Sequence, residues 1–192
     1  MLKILLVDDT PDRASALKAA LSAMEGVEVA CTLESPLELL DRVAEHAPDI
    51  VLIDTQSPSR DVLEQLAAVS SSAPRPVVMF TEDGHDGAIR SALRVGVSAY
   101  IVDGIEAARL DPIMRVAMER FEADQALRAE LVETKSRLAE RKLVERAKGI
   151  LMKHRGIDEE TAYSALRSLA MERGLRVGEA ARQVIDVAGL LG

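Results

Sequence analysis

Residues 5–9 read LLVDD, residues 51–55 read VLIDT and residues 79–83 read MFTED, and these three stretches decide the fold. Each is a short apolar run that ends in acidic or hydroxyl side chains. Amphipathic segments, with apolar residues three and four positions apart, separate the runs. Short strands alternating with helical patterns are typical of a parallel sheet wrapped by helices. The predicted strands span residues 3–7, 27–31, 50–53, 77–80 and 99–102.

Polar side chains close several of these strands. Five strands and five helices predict an α/β, flavodoxin-like, doubly wound fold, whose working site lies beyond the carboxyl ends of its strands. Asp8 and Asp9 follow the first strand, Asp54 closes the third and Thr81 follows the fourth. Three neighbouring carboxylates repel one another unless a hard cation lies among their oxygens. The sequence therefore predicts a Mg²⁺ site formed by Asp8, Asp9 and Asp54.

The charge distribution divides the chain. The formal net charge is −8, but residues 141–192 hold 10 basic and 7 acidic side chains, a balance of +3. The first 140 residues carry the remaining −11, which disfavours nucleic-acid binding there and permits it at the basic end. No apolar run is long enough for a membrane span, and residues 1–9 lack the pattern of a signal peptide, so we expect a cytoplasmic protein. The single cysteine, Cys31, has no partner for an internal disulfide.

A long helical segment, or two stacked helices, is predicted from residue 107 to 152, since no glycine occurs there before Gly149 and no proline after Pro112. Within it Leu127, Leu131, Thr134 and Leu138 step by four, three and four residues. This is the spacing of a coiled-coil seam, and it favours a homodimer. Because the seam is short, an exposed connector or an intramolecular brace stays open.

Two further helices are predicted after Gly156. Asp158 is placed as the N-cap of the first, and Gly174 ends it. The last helix is predicted from Val177 to Ala188. With the end of the long segment, these helices form an all-α three-helix unit of about fifty residues, near the lower size limit of a free-standing domain.

The motifs LLVDD, VLIDT and MFTED resemble those of the receiver domain of two-component response regulators, over roughly residues 1–120. The resemblance implies that Asp54 is the phosphoacceptor, that Asp8 and Asp9 help to bind the metal and that Thr81 follows the phosphoryl group. A lysine and a proline normally follow the fifth strand in that family, whereas Asp103 and Gly104 stand here. An anion at this place reverses the electrostatics of a phosphoryl site.

This reversal at Asp103 leaves three interpretations of the acidic cluster. A degenerate receiver set by a protein partner is favoured over a working phosphoacceptor switched by a sensor kinase. Carboxylates that merely cap strand ends are the third interpretation. Phosphorylation of Asp54 would be an autophosphotransfer and not the turnover of an external substrate, so we do not expect an enzyme.

Residues 144–185 carry the most specific pattern, in the runs AKGILM, EETAYSALRSLAM and RVGEAARQVI. These closely resemble the ANTAR domain, the RNA-binding module of transcription antiterminators, in which a dimer is thought to hold two hairpins of a leader mRNA. The resemblance implies a receiver over residues 1–120, a coiled-coil linker over 121–140 and an ANTAR domain over 141–192. Basic side chains would neutralise phosphates and Tyr163 would stack on an unpaired base. The predicted RNA-binding residues are Arg146, Lys148, Lys153, Arg155, Tyr163, Arg167 and Arg173.

The stretch DTQSPSRDVLE and the ending YIVDG look most like the nitrate-responsive NasT type. That type implies control of nitrate, nitrite or other nitrogen-assimilation genes, together with an inhibitory nitrate-sensing partner protein. A phosphorylation-switched DNA-binding response regulator is the main alternative, although the segment 177–185 is too apolar for a typical recognition helix. A protein-interaction adaptor that binds no nucleic acid is the other.

Overall fold

A five-stranded parallel sheet forms the centre of the N-terminal half of the protein. The computed structural model describes residues 1–8, 10–102 and 107–191. The strands are β1 (Leu2–Asp8), β2 (Val27–Leu33), β3 (Ile50–Thr55), β4 (Val77–Thr81) and β5 (Ala99–Val102). Their order in the sheet is β2-β1-β3-β4-β5, and every neighbouring pair is parallel, as predicted for the α/β receiver fold.

Helices cover both faces of the sheet. Successive side chains of a strand point to opposite faces, so Leu5 and Val7 join one core layer while Ile4 and Leu6 join the other. The helices of this half are α1 (Pro11–Ser22), α2 (Leu39–His46), α3 (Arg60–Ser72), α4 (Asp86–Arg94) and the start of α5 (Ala107–Arg155). The first layer includes side chains of α2, α3 and α4, and the second those of α1 and the start of α5. Burial on both faces explains why these strands are continuous apolar runs.

The parallel register brings two of the predicted carboxylates together. Asp8 of β1 is the register partner of Asp54 of β3, so both lie at the carboxyl edge of the sheet. Thr55 is likewise the partner of Thr81 across β3 and β4. Adjacent strands are about 4.8 Å apart. The central strands therefore present Asp8, Asp54 and Thr81 at one edge.

The predicted helical segment is one continuous helix, α5 (Ala107–Arg155), and not two stacked helices. Contacts within the chain divide it into two units, residues 1–125 and 126–192, and α5 runs through the division. Between residues 126 and 142 every described side chain of α5 is exposed. None of the described helices is long and apolar enough to cross a membrane.

The C-terminal unit consists of the end of α5 with α6 (Glu159–Arg173) and α7 (Val177–Leu191). The Asp158 carboxylate accepts a hydrogen bond of 2.8 Å from the Thr161 backbone N–H, which confirms the predicted N-cap. Gly174 has φ of 64° and ends α6, as predicted, because glycine adopts this left-handed conformation without a Cβ penalty. The last helix continues through Gly189 to Leu191, beyond the predicted end at Ala188.

The core of the C-terminal unit is small. Ala147, Leu166 and Ala181 are buried at its centre, and Ala180 is also fully buried. The small side chains of Ala147 and Ala180 therefore allow the helices to approach closely. A core of this size supports only marginal stability.

The start of α7 lies against α5 at Gly178. A Cβ placed on Gly178 would be 2.5 Å from the Cγ of Glu140 and 2.8 Å from its Oε1. Atoms that are not bonded to one another do not approach so closely, so any larger residue would displace the Glu140 side chain. The glycine at residue 178 thus leaves room for the Glu140 side chain where α7 begins beside α5.

Candidate functional site

The acidic edge of the sheet is the first candidate site. Asp8 is 1% exposed and Asp54 is 5% exposed, although both are ionisable. The Asp8 Oδ1 accepts a 2.8 Å hydrogen bond from the Thr10 backbone N–H. Buried carboxylates need such partners or a cation, because desolvation disfavours their charged form.

Two residues of the predicted receiver site, Asp9 and Asp103, lie outside the described residues. The described part of the chain holds no group of three or more His, Cys, Asp or Glu arranged around a metal position. Two buried carboxylates at adjacent strand ends are nevertheless the hard oxygen donors that Mg²⁺ takes, and Mg²⁺ sites commonly use one or two carboxylates and several waters. Asp8 and Asp54 therefore fit the ion.

Thr81 is held by the neighbouring loops. Its hydroxyl donates a 2.8 Å hydrogen bond to the backbone carbonyl of Gln56 and accepts one of 3.1 Å from the Asp83 N–H. The side chain is 1% exposed. To follow a phosphoryl group on Asp54, the Thr81 hydroxyl would first have to leave the Gln56 carbonyl.

A second set of hydrogen bonds joins the loop after β3 to the loop after β4. The Ser57 hydroxyl donates to the Asp83 carboxylate over 2.7 Å, and this bond, followed by the one from the His85 backbone N–H, lowers the pKa of Asp83. The Tyr100 hydroxyl donates to the Asp83 carbonyl over 2.7 Å. Burial raises the pKa of Tyr100, so its hydroxyl stays a donor. Asp83 thus ties the β3 loop to β5.

Basic side chains collect around two adjoining grooves of the C-terminal unit, which form the second candidate site. One groove, of about 400 Å³, lies between the last turns of α5, the end of α6 and the second half of α7. The other, of about 390 Å³, adjoins it, and His154 lines both. Among the predicted RNA-binding residues, Arg155 and Arg173 line the first groove and Arg146 and Lys153 line the second.

Lys148 occupies a different position from these four residues. It is 8% exposed, and its Nζ lies 2.8 Å from a Glu145 carboxylate oxygen and 2.6 Å from one of Glu159. Hydrogen bonds with Glu145 and then Glu159 raise the pKa of Lys148, so the ammonium group stays charged within the protein. Lys148 thus links α5 to the start of α6, and its contact with RNA stays a prediction.

Tyr163 and Arg167 lie four residues apart on an exposed face of α6. They do not line either groove. Their exposure is compatible with stacking and phosphate contact, but the structure does not bring them together with the other four basic residues. The predicted RNA-binding residues other than Lys148 therefore separate into those that line the grooves and the pair Tyr163 and Arg167 on the exposed face of α6.

Comparison with known protein families matches both halves of the chain. The response regulator receiver domain matches residues 4–115, and the ANTAR domain matches residues 133–185. The chain belongs to the receiver–ANTAR family of response regulators. A receiver–ANTAR protein is a regulator of transcription and not a metabolic enzyme, and receiver domains usually hold Mg²⁺ in an acidic pocket of the kind seen here.

Two curated relatives are similar to this receiver–ANTAR protein over different lengths of the chain. The transcriptional regulatory protein PdtaR of Mycobacterium tuberculosis is 30% identical over 86% of this chain and 80% of its own length. The nitrate regulatory protein of Klebsiella oxytoca is 39% identical over 85 residues, which are 44% of this chain and 22% of that protein. The first relative spans both domains.

Solved structures agree on the receiver fold. The signal receiver domain of a modulated diguanylate cyclase from Desulfovibrio desulfuricans has a TM-score of 0.56 at 21% identity, covering 65% of this chain and 99% of that one. The response regulator domain of CheB from Thermotoga maritima has a TM-score of 0.55 at 25% identity, covering 62% and 97%. The N-terminal half of the chain therefore has the fold of a receiver domain.

Sequence reasoning missed several groups of the receiver–ANTAR site. His154 was not among the predicted site residues, although its neighbours Lys153 and Arg155 mark it as part of a basic turn. Gln183, whose carbonyl oxygen accepts a 2.5 Å hydrogen bond from Arg173, had no signal, since ten residues and a turn separate the pair. The hydrogen bond between Ser57 and Asp83 could not be predicted either, because 26 residues separate them.

Proposed function

We propose that this receiver–ANTAR regulator is a cytoplasmic transcription antiterminator whose ANTAR domain binds hairpins in a leader mRNA. The observation that carries the proposal is the pair of adjoining grooves with Arg146, Lys153, Arg155 and Arg173 on their walls. Cations that neutralise RNA phosphates release counterions, which supplies much of the affinity. The proposed domains are the receiver over 1–120, the coiled-coil linker over 121–140 and the ANTAR domain over 141–192.

Salt dependence tests this proposal through Arg146 and Lys153. Replacing both with Gln should weaken binding to the leader RNA of the protein's own operon and make the slope of log K against log salt shallower by about 1 to 2. The physical reason is the loss of two phosphate contacts. Filter retention or fluorescence anisotropy at a series of salt concentrations measures the slope.

The control is a second double variant, in which Gln replaces Lys18 and Arg60, two exposed cations of the receiver. Equal slopes for the two double variants would contradict the assignment of Arg146 and Lys153. A leader RNA that bound equally well with its hairpin loops scrambled would contradict RNA reading itself. Retention of duplex DNA in preference to RNA would support the DNA-binding alternative.

We further propose that the protein acts as a homodimer through the seam of Leu127, Leu131, Thr134 and Leu138. The three leucines are 64%, 51% and 54% exposed in the single chain, although leucine at a coiled-coil seam is normally covered. Charged side chains at residues 128, 130, 135 and 137 flank the seam, as is usual for the edges of a coiled coil.

The proposed input to the receiver is a protein partner rather than a phosphoryl group. Asp103 stands where the family normally has a lysine, and the Thr81 hydroxyl already donates to the Gln56 carbonyl. Mg²⁺ would be held by Asp8 and Asp54, together with Asp9, which follows Asp8 in the sequence, and would offset the repulsion between these carboxylates. A working phosphoacceptor supplied by a sensor kinase is the second candidate, because Asp54 itself is retained and buried.

Asp54→Ala separates these two inputs. We expect RNA affinity to change by less than about twofold, because a regulator set by its partner does not need the carboxylate for output. The measurement is leader-RNA binding by the full chain before and after treatment with a small phosphodonor. A large loss of RNA binding by a folded Asp54→Ala chain, or phosphodonor-dependent binding by the unaltered chain, would support the phosphoacceptor.

The proposed targets are nitrate, nitrite or other nitrogen-assimilation genes. Similarity to the nitrate regulatory protein of Klebsiella oxytoca supports this choice, together with the NasT-like stretches around Asp54 and Asp103. An inhibitory nitrate-sensing protein would then be the partner. Release of the regulator from that partner by nitrate is the outcome that a co-purification experiment should show.

A further inference from the structure

The groove between α5, α6 and α7 has an apolar floor that the three-helix core leaves partly uncovered. Leu151 and Val184 pack against the core and yet line the groove, and Val187 at its edge is 55% exposed. The described residues that line this groove include no acidic side chain. Its volume of about 400 Å³ lies within the usual range of about 300–1,000 Å³ for small-molecule sites.

The rim of the groove is cationic and partly fixed in place. His154 and Arg155 end α5, and Arg173 ends α6. The Arg173 Nη1 donates to the Gln183 Oε1 over 2.5 Å, which holds the guanidinium across the gap between α6 and α7. This bond uses one of five N–H donors of Arg173 and leaves the Gln183 amide group as a donor. Donors therefore surround an apolar floor.

We propose that this groove receives one unpaired base of the RNA hairpin loop, while the cations around it contact the adjacent phosphates. A base has an apolar face and a polar edge, which match the floor of Leu151 and Val184 and the donors at Arg173 and Gln183. An apolar protein segment without negative charge would also pack on this floor, but it would leave the basic side chains of the rim without partners of opposite charge. The inference rests on the proposed RNA binding and assigns recognition of the RNA base sequence to this groove.

The adjoining groove supplies the path of the backbone. Arg146 and Lys153 lie seven residues apart on α5, about 10 Å along the helix axis, and His154 joins their groove to the base-receiving one. A strand that places one base beside Val187 can therefore lay its neighbouring phosphates along Arg146 and Lys153. Phosphate contacts at these two residues position the RNA, and the base groove supplies specificity.

The test compares Val187→Glu with Met171→Glu in the full chain. Both residues are exposed and in the ANTAR unit, but Met171, 74% exposed on α6, lines neither groove. The probe is a hairpin with a fixed stem and an initially randomised loop, selected by retention on the unaltered protein. A second version of this hairpin carries an abasic nucleotide at each loop position in turn, which removes the base and keeps the phosphate.

We expect Val187→Glu to weaken binding of the intact hairpin about tenfold or more, and Met171→Glu to leave it within about twofold. At one loop position the abasic hairpin should bind the unaltered chain and Val187→Glu equally well. That coupling distinguishes loss of a base contact from added negative charge, because added charge would weaken both hairpins alike. A 4-thiouridine at that position of the hairpin should crosslink to the peptide containing residues 183–188 of the unaltered protein.

Several outcomes would overturn the assignment. Equal losses on intact and abasic hairpins, no effect of Val187→Glu, or crosslinks confined to peptides outside α5 and α7 would each reject the base groove while RNA binding itself stands. A change of oligomeric mass in Val187→Glu would identify the groove as a contact between copies of the chain. If no hairpin from the pool is retained by the unaltered protein, RNA binding fails as well. Crosslinking of the unaltered chain keeps the test decisive even if Val187→Glu does not fold.

Discussion

Leu131→Glu is expected to convert the protein from a dimer to a monomer and to weaken binding of an RNA with two hairpins about 10²-fold or more. Leu131 is at the centre of the proposed seam and is 51% exposed in the single chain. A glutamate there would place two like charges in the middle of the contact. Sedimentation equilibrium measures the mass, and titration with one-hairpin and two-hairpin RNAs measures the affinities.

The loss should be confined to the two-hairpin RNA. Each monomer keeps its ANTAR domain, so binding of a single hairpin is expected to stay within about twofold, and only the gain from linked sites disappears. Val132→Glu is the matched control, since Val132 is 68% exposed on the same helix but points about 100° away from Leu131. If both variants stay dimeric, or if Val132→Glu also dissociates the protein, the seam is wrongly assigned.

Leu166→Ala is expected to unfold the ANTAR unit while the receiver stays folded. Leu166 is fully buried in the cluster with Ala147 and Ala181, and truncating a buried leucine costs about 2–5 kcal/mol. A unit of this size has only about 3–5 kcal/mol of stability to lose. RNA binding should therefore fall below detection. Hydrogen exchange read peptide by peptide should show lost protection in α6 and α7 and retained protection in β1 and β3.

Met171→Ala serves as the control for this truncation. It removes a side chain of similar size from the same helix, but at a position that is 74% exposed, so stability should change by less than about 0.5 kcal/mol. Retained protection of α6 in Leu166→Ala would mean that α5 and α7 stabilise the unit without this core residue. Simultaneous loss of protection in β1 and β3 would mean that the two units unfold together.

The sequence predicts the elements well where their causes are local. The run at residues 50–53 predicted β3, observed as Ile50–Thr55, because a strand buried on both faces must be continuously apolar. Asp158 and Gly174 predicted the ends of α6, since a cap depends on side chains and backbone within one turn. The α/β fold followed from such segments taken together.

The candidate sites were less predictable because their contacts cross between elements. The sequence shows Lys148 as one basic residue among several, whereas its pairing with Glu159 depends on how α5 meets α6. The orientation of the Gln56 carbonyl, and hence the hydrogen bond of Thr81, depends on the course of the β3–α3 loop. The sequence gives the chemical type of each side chain, but it does not predict the contacts that Lys148 and Thr81 make with other elements.

The close approach of Gly178 to Glu140 has a consequence for how receiver–ANTAR sequences can diverge. Since a Cβ at residue 178 would overlap the Glu140 side chain, the two positions are not free to vary independently. A homologue with alanine at the first position should carry a shorter side chain at the second, and the pair should co-vary across an alignment. The pair of positions would then record that the start of α7 lies against α5, even where the ligand of the ANTAR domain has changed.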